Sequence, residues 1–156
     1  MVQLLSFVAF AVCATFLTHP LANAAPARRQ LGDLACNINR GEIIFNVAQL
    51  AATVESLGNA TGLVSANSTA EEDVQALQTG ALGAGGAIKA IAIALFTGET
   101  ASPDLRAQVG RNLTAVSLAL ADLSSNDTAT AAVLSKAHDQ LTNAALAATG
   151  VATNCK

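Results

Sequence analysis

Four segments of this chain place an apolar residue at every third or fourth position, and that alternation constrains the fold more than any other feature. Ile43, Val47, Leu50, Val54 and Leu57 recur at spacings of four, three, four and three. Val74, Leu77, Ala81, Ala84, Ile88, Ile91 and Leu95 keep the same rhythm, and so do Val109, Leu113, Val116, Leu120 and Leu123, with Leu105 extending that stripe backwards. Leu134, Ala137, Leu141, Ala144, Ala148, Val151 and Cys155 complete the set. At 3.6 residues per turn each series falls on one helix face, whereas a half-buried strand needs alternation in twos. A strand reading of Ile91, Ile93 and Leu95 competes only inside a much longer helical pattern. The expectation is an all-α domain over residues 33–156, an antiparallel up-down four-helix bundle with short turns.

Helix boundaries can be read from their capping chemistry. Asp33 opens the first helix, Gly41 marks a break or soft spot within it, and Gly58 is the expected stop. Thr69 with Glu72, or Ser68 with Glu71, makes a capping box, and Glu71, Glu72 and Asp73 complement the helix dipole. Gly98 ends the second helix, Ser102 and Pro103 start the third, and the turn through Ser124, Ser125, Asn126 and Asp127 caps the fourth, which Gly150 is expected to fray. The second helix contains residues 80–96, an apolar stretch with one charge, Lys89, and four glycines, Gly80, Gly83, Gly85 and Gly86. Each glycine costs about 1 kcal/mol against alanine in a helix interior. Four of them call for a close approach by another helix or for a cavity, and this helix is expected to be the most buried.

Composition and cysteine count set the compartment. The chain is 52% apolar with no Trp, no Tyr and five Phe, so the core must be built from Ala, Leu, Ile and Val. Residues 4–17 are an apolar run too short to span a bilayer, followed by the small-x-small pattern Ala22-Asn23-Ala24. Residues 1–24 read as a signal peptide and 25–32 as a flexible segment, in which Arg28-Arg29 is either a processing pair or two solvated arginines. The protein is therefore expected to be secreted. Cleavage removes Cys13 and leaves Cys36 and Cys155 near opposite ends of the mature chain. In an oxidising compartment they are expected to pair, closing a loop of roughly 120 residues and contributing about 4 kcal/mol in the chain-entropy model. An up-down topology brings both cysteines to the same end of the bundle. Sequons at Asn59, Asn67, Asn112 and Asn126 are candidate glycosylation sites, Asn112 alone falling inside a helix.

Residues that would name a reaction are missing. From Gln30 onward six Lys and Arg stand against eleven Asp and Glu, a net charge of −5 without a basic cluster, so nucleic acid and anionic membranes are poor partners. No apolar C-terminal tail suggests a lipid anchor, and no transmembrane segment is expected. His138, the one mature histidine, reads as a boundary side chain. Glu42 and Glu55 are too far apart for paired acid work, and no phosphate loop, dinucleotide fingerprint or nucleophile elbow occurs. Neither catalysis, a metal site nor a cofactor is expected. The region around Ile44 and Phe45 on the first helix, and that around Ile93, Leu95 and Phe96 on the second, are apolar off the main stripe and widen the apolar arcs. A thick core, a lipid cavity or an exposed face for a hydrophobic surface would each explain them. Gly83, Gly86, Lys89 and Ile93 are the candidate ligand contacts, with Lys89 either a snorkelling surface residue or a cation at a pocket mouth.

A signal peptide, a helical body rich in Ala, Leu, Thr and Val, few aromatics and scattered sequons together resemble the fungal hydrophobic surface-binding protein A and cell wall galactomannoprotein group. The Cys36 and Cys155 pair is a departure from that group. The resemblance implies a secreted, non-catalytic helical protein, at the cell wall or released, that coats hydrophobic surfaces or binds lipid-like ligands. The alternative is a secreted protein-interaction module, an effector or enzyme inhibitor.

Overall fold

The first helix passes straight through the expected soft spot. The computed structural model describes residues 34–155, so the expected signal peptide, the Arg28-Arg29 pair, Asp33 as the expected helix opener and Lys156 lie outside the described residues. Helix α1 spans Leu34–Leu57 without a break at Gly41, where a side chain would meet open space. It stops at Leu57, but not through a left-handed Gly58. The turn is closed by Gly58 N–H donating to Glu55 O at 3.2 Å, and the residue with positive φ is Gly62, at 75°.

Gly62 leads into a short strand, β1, Leu63–Ser65, where the sequence pattern predicted only loop. Its partner β2, Leu123–Ser125, follows the third helix, and the two run antiparallel with Leu63 opposite Ser125, Val64 opposite Ser124 and Ser65 opposite Leu123. Leu123, expected as the last apolar residue of a helix, is extended at φ −86°, ψ 136° and buried within this ribbon. Side chains fasten the same end. Asn67 Nδ2 donates to Asp122 Oδ1 at 2.7 Å, Ser125 Oγ to Gly62 O at 3.0 Å and Thr130 Oγ1 to Thr61 O at 3.1 Å.

Helix α2, Ala70–Thr97, begins with the predicted capping box, in which Glu72 N–H donates to Thr69 Oγ1 at 3.2 Å and Thr69 N–H to Glu72 Oε2 at 3.1 Å. It ends at Gly98, whose φ of 77° lets Glu99 N–H reach back to Ala94 O at 2.8 Å in a Schellman closure. Helix α3, Pro103–Asp122, starts from Ser102 as predicted, and α4, Thr128–Asn154, from Asp127, whose carboxylate accepts from Thr130 N–H at 2.8 Å. Gly150 does not break α4.

The fold is all-α, and the described residues form four helices packed on one another around an aliphatic core. Leu50, Leu57, Leu77 and Leu120 are completely buried with Val47, Val54 and Val116, and Ala81, Ala84, Ala137 and Ala144 let the backbones draw close. The largest interfaces are α2 with α3 and α1 with α4. Gly150 lies against Asn39, while Gln140 Nε2 donates to Gln49 Oε1 at 3.2 Å, so α1 and α4 run antiparallel. The predicted disulfide between Cys36 and Cys155 joins their far ends with a Cα–Cα distance of 5.0 Å. The bundle thus has a ribbon end and a disulfide end.

Burial is uneven along that axis. On α1 no described residue between Cys36 and Val47 is buried, on α2 none after Ile88, and on α4 none after Ala147. The hydrophobic core fills the middle and the ribbon half, and the disulfide ties the thinly packed end.

Candidate functional site

The glycines of α2 explain themselves first, because they decide whether that helix surrounds a cavity. A Cβ on Gly80 would sit 2.7 Å from Val116 Cγ2 and 3.0 Å from Asn112 O, and one on Gly83 would sit 2.7 Å from Asn112 Nδ2. Both glycines are therefore where α3 rests on α2, with the paired numbers running in opposite directions. Around Gly85 and Gly86 there is open space. Of the four predicted ligand contacts, Gly83 is in this helix contact, whereas Gly86, Lys89 and Ile93 face solvent.

Those three share a face. Leu82, Gly86, Lys89, Ile93 and Phe96 recur at four, three, four and three, on the side of α2 away from its buried stripe. Leu82 is 70% exposed, Ile93 53% and Phe96 84%. Helix α2 is the one described helix long and apolar enough to cross a membrane by length and composition, yet only 22% of its most apolar window is fully buried. The expectation that this helix is the most buried fails beyond Ile88. Only its last turns, after Ile91, outrun the packed core.

Helix α1 repeats the arrangement. Leu34, Ile38, Gly41, Phe45, Ala48 and Ala52 follow the same spacing, and at 100° per residue they stand opposite Ile43, Val47, Leu50 and Val54. All six are exposed, Leu34 at 74% and Phe45 at 61%. Phe45 and Phe96 are the only aromatic residues after position 16, and both are exposed, so the core formed by the described residues contains no aromatic side chain. Residues of this kind normally lead the filling of an interior.

Beside the α1 stripe lies a trough of about 530 Å³, open to solvent. Phe45, Ala48 and Ala52 of α1 form its apolar side, Gln49, Thr53 and Ser56 its polar side, and Val133 and Lys136 of α4 its far wall. Gln140, which donates to the trough residue Gln49, is buried, and its own Oε1 has no hydrogen-bond partner among the described residues. None of Gly83, Gly86, Lys89 or Ile93 lines this trough. Lys136 was not singled out by sequence reasoning, although it is one of only six cations after Arg29 and sits one helical turn from Val133.

Three of the acidic side chains have structural occupations. Asp73 is buried and accepts from Ser65 Oγ, while Glu72 and Asp127 are caps. Hydrogen bonds from Thr69 hold the Glu72 carboxyl below its ordinary pKa, and hydrogen bonds from Thr130 do the same for Asp127. His138 is exposed on α4. Among the described residues no group of three or more His, Cys, Asp or Glu side chains is placed to hold a metal ion. No family model, curated protein or solved structure matches this chain.

Proposed function

We propose that this chain is a secreted, non-catalytic protein that binds hydrophobic surfaces or lipid-like ligands, outside the cell or at the cell wall, as an up-and-down bundle closed by its disulfide. The supporting observation is the outward placement of both mature aromatic residues, Phe45 and Phe96, on apolar stripes opposite the buried faces of α1 and α2. Contiguous exposed apolar surface marks a place where something apolar is met. Each large side chain transferred from water to such a surface contributes about 2 kcal/mol, so a handful of them are enough to hold a small protein there. The trough between α1 and α4 gives a lipid-like molecule a narrower seat, with Lys136 beside an apolar wall.

The test is depletion of the secreted protein from solution by polystyrene beads, together with native mass spectrometry for co-purifying lipid. Adsorption or bound lipid supports the reading. A protein that carries no lipid and ignores the beads refutes it. If a pull-down from the same medium instead recovers one stoichiometric protein, the interaction-module alternative holds.

A further inference from the structure

The four sequons are alike in sequence and unlike in place. Asn59 and Asn67 lie in the α1–α2 connection and Asn126 in the α3–α4 connection, and the β1–β2 ribbon binds these two connections together at one end of the bundle. All three side chains are exposed. Asn67 Nδ2 donates to Asp122 Oδ1 at 2.7 Å, and a glycosylated amide keeps one N–H, so that bond survives modification.

Asn112 differs at the atom that matters. It lies within α3, half-buried, with its amide lodged where Gly83 of α2 leaves out a side chain. A Cβ at Gly83 would be 2.7 Å from Nδ2, 2.9 Å from Cγ and 3.0 Å from Oδ1 of Asn112. Glycosylation joins Nδ2 to the anomeric carbon of a lipid-diphosphate-linked oligosaccharide, with loss of an amide proton and departure of the lipid diphosphate. At Asn112 the new bond would grow from an atom already at contact distance from the neighbouring helix. That helix pair is one of the two largest interfaces in the molecule and cannot open to admit a sugar without losing its packing.

We propose that N-glycans on the native protein are confined to the ribbon end, at Asn59, Asn67 and Asn126, and that Asn112 is a packing residue left unmodified. This rests on the secretion reading, since the modification belongs to the secretory pathway. The sugars then stand away from Ile38, Phe45 and Ile93, which lie in the disulfide half, where α4 carries no charged residue from Gln140 to Cys155. Carbohydrate is then confined to one end of the bundle, where Val64 and Leu118 are also exposed, and the outward side chains of the disulfide half stay uncovered.

The experiment is expression of the full chain in a glycosylating eukaryotic secretory host, with deglycosylation ladders and glycopeptide mass spectrometry on secreted, disulfide-intact protein. Thr61→Ala, Asn67→Gln and Thr128→Ala each lose one glycan step. Thr114→Ala, which abolishes the Asn112 sequon while leaving the Asn112 contact in place, loses none. The paired change Arg106→Asn with Gln108→Thr, which builds a sequon on two exposed positions of the same helix, gains one step. A glycopeptide carrying sugar on Asn112, or a lost step in Thr114→Ala, overturns the proposal while leaving secretion intact. An engineered sequon that stays empty in the Arg106→Asn, Gln108→Thr variant also overturns it, because α3 as a whole would then be refused. A chain retained in the cell overturns the secretion reading and this proposal with it.

Discussion

Alanine substitution along the glycines of α2 sets two effects of similar size against each other, and the structure decides the sign at each position. Gly→Ala in a helix interior gains about 1 kcal/mol from propensity alone. At Gly86 nothing lies within 4 Å of the added methyl, so Gly86→Ala keeps that gain. At Gly80 the methyl meets Val116 Cγ2 at 2.7 Å and the Asn112 carbonyl oxygen at 3.0 Å, and a backbone atom cannot rotate away. Overpacking of that kind costs about 2 kcal/mol, leaving Gly80→Ala about 1 kcal/mol less stable than the parent. Gly83→Ala falls between, because its neighbour is the end of the Asn112 side chain, which can swing aside. With no Trp or Tyr to report fluorescence, thermal unfolding is followed by circular dichroism at the helical band. The expected melting temperatures differ by about 8 °C between Gly86→Ala and Gly80→Ala, with the parent in between, at about 4 °C per kcal/mol for a domain of this size. A Gly80→Ala variant as stable as the parent, or a Gly86→Ala variant as damaged as Gly80→Ala, refutes the close α2–α3 contact.

Removing the disulfide by Cys36→Ala with Cys155→Ala lowers stability by about 4 kcal/mol in chemical denaturation. Hydrogen exchange in the same variant accelerates most in the first turns of α1 and the last two turns of α4, where few residues are buried, and least beside the ribbon. Acid titration monitored by melting temperature has a definite sign. The capping bonds hold Glu72 and Asp127 below their unfolded pKa values, so their stabilisation is complete above the ordinary carboxylate range near pH ~4 and is lost as pH falls through the depressed values. Glu72→Gln with Asp127→Asn flattens that acid limb. Cutting the ribbon clip with Asp122→Ala, which removes the acceptor of Asn67, lowers the melting temperature by about 4 °C, the equivalent of one ordinary hydrogen bond.

Most of the fold was legible because helix caps and a three-four stripe are local signals. Thr69 with Glu72, Ser102 with Pro103, and Gly98 each lie within a few residues of the groups they satisfy, and each does what its chemistry requires. The ribbon was not legible. Leu63–Ser65 and Leu123–Ser125 are three residues each, too short for a period to declare itself, and Leu123 continues a helical stripe up to the residue where the backbone turns extended. The outward stripes were visible only as excess width. Periodicity places Phe45 and Ile93 off the main face but does not say that the neighbouring helices leave that side open, which follows from how α4 and α3 pack. The glycines misled for the same reason. Gly80 and Gly83 record a close approach, but only the position of Asn112 and Val116 tells a helix contact from a cavity wall. The trough depended on two helices distant in sequence, so Lys136 carried no local mark.

Bead adsorption of the triple variant Phe45→Ser, Leu82→Ser, Ile93→Ser tests the central claim most directly. All three positions are exposed, so the variant keeps its core and its circular dichroism spectrum. The account predicts that polystyrene beads deplete the parent protein from solution and leave the variant largely behind. Equal adsorption of the two folded proteins, or a parent that stays in solution, contradicts it.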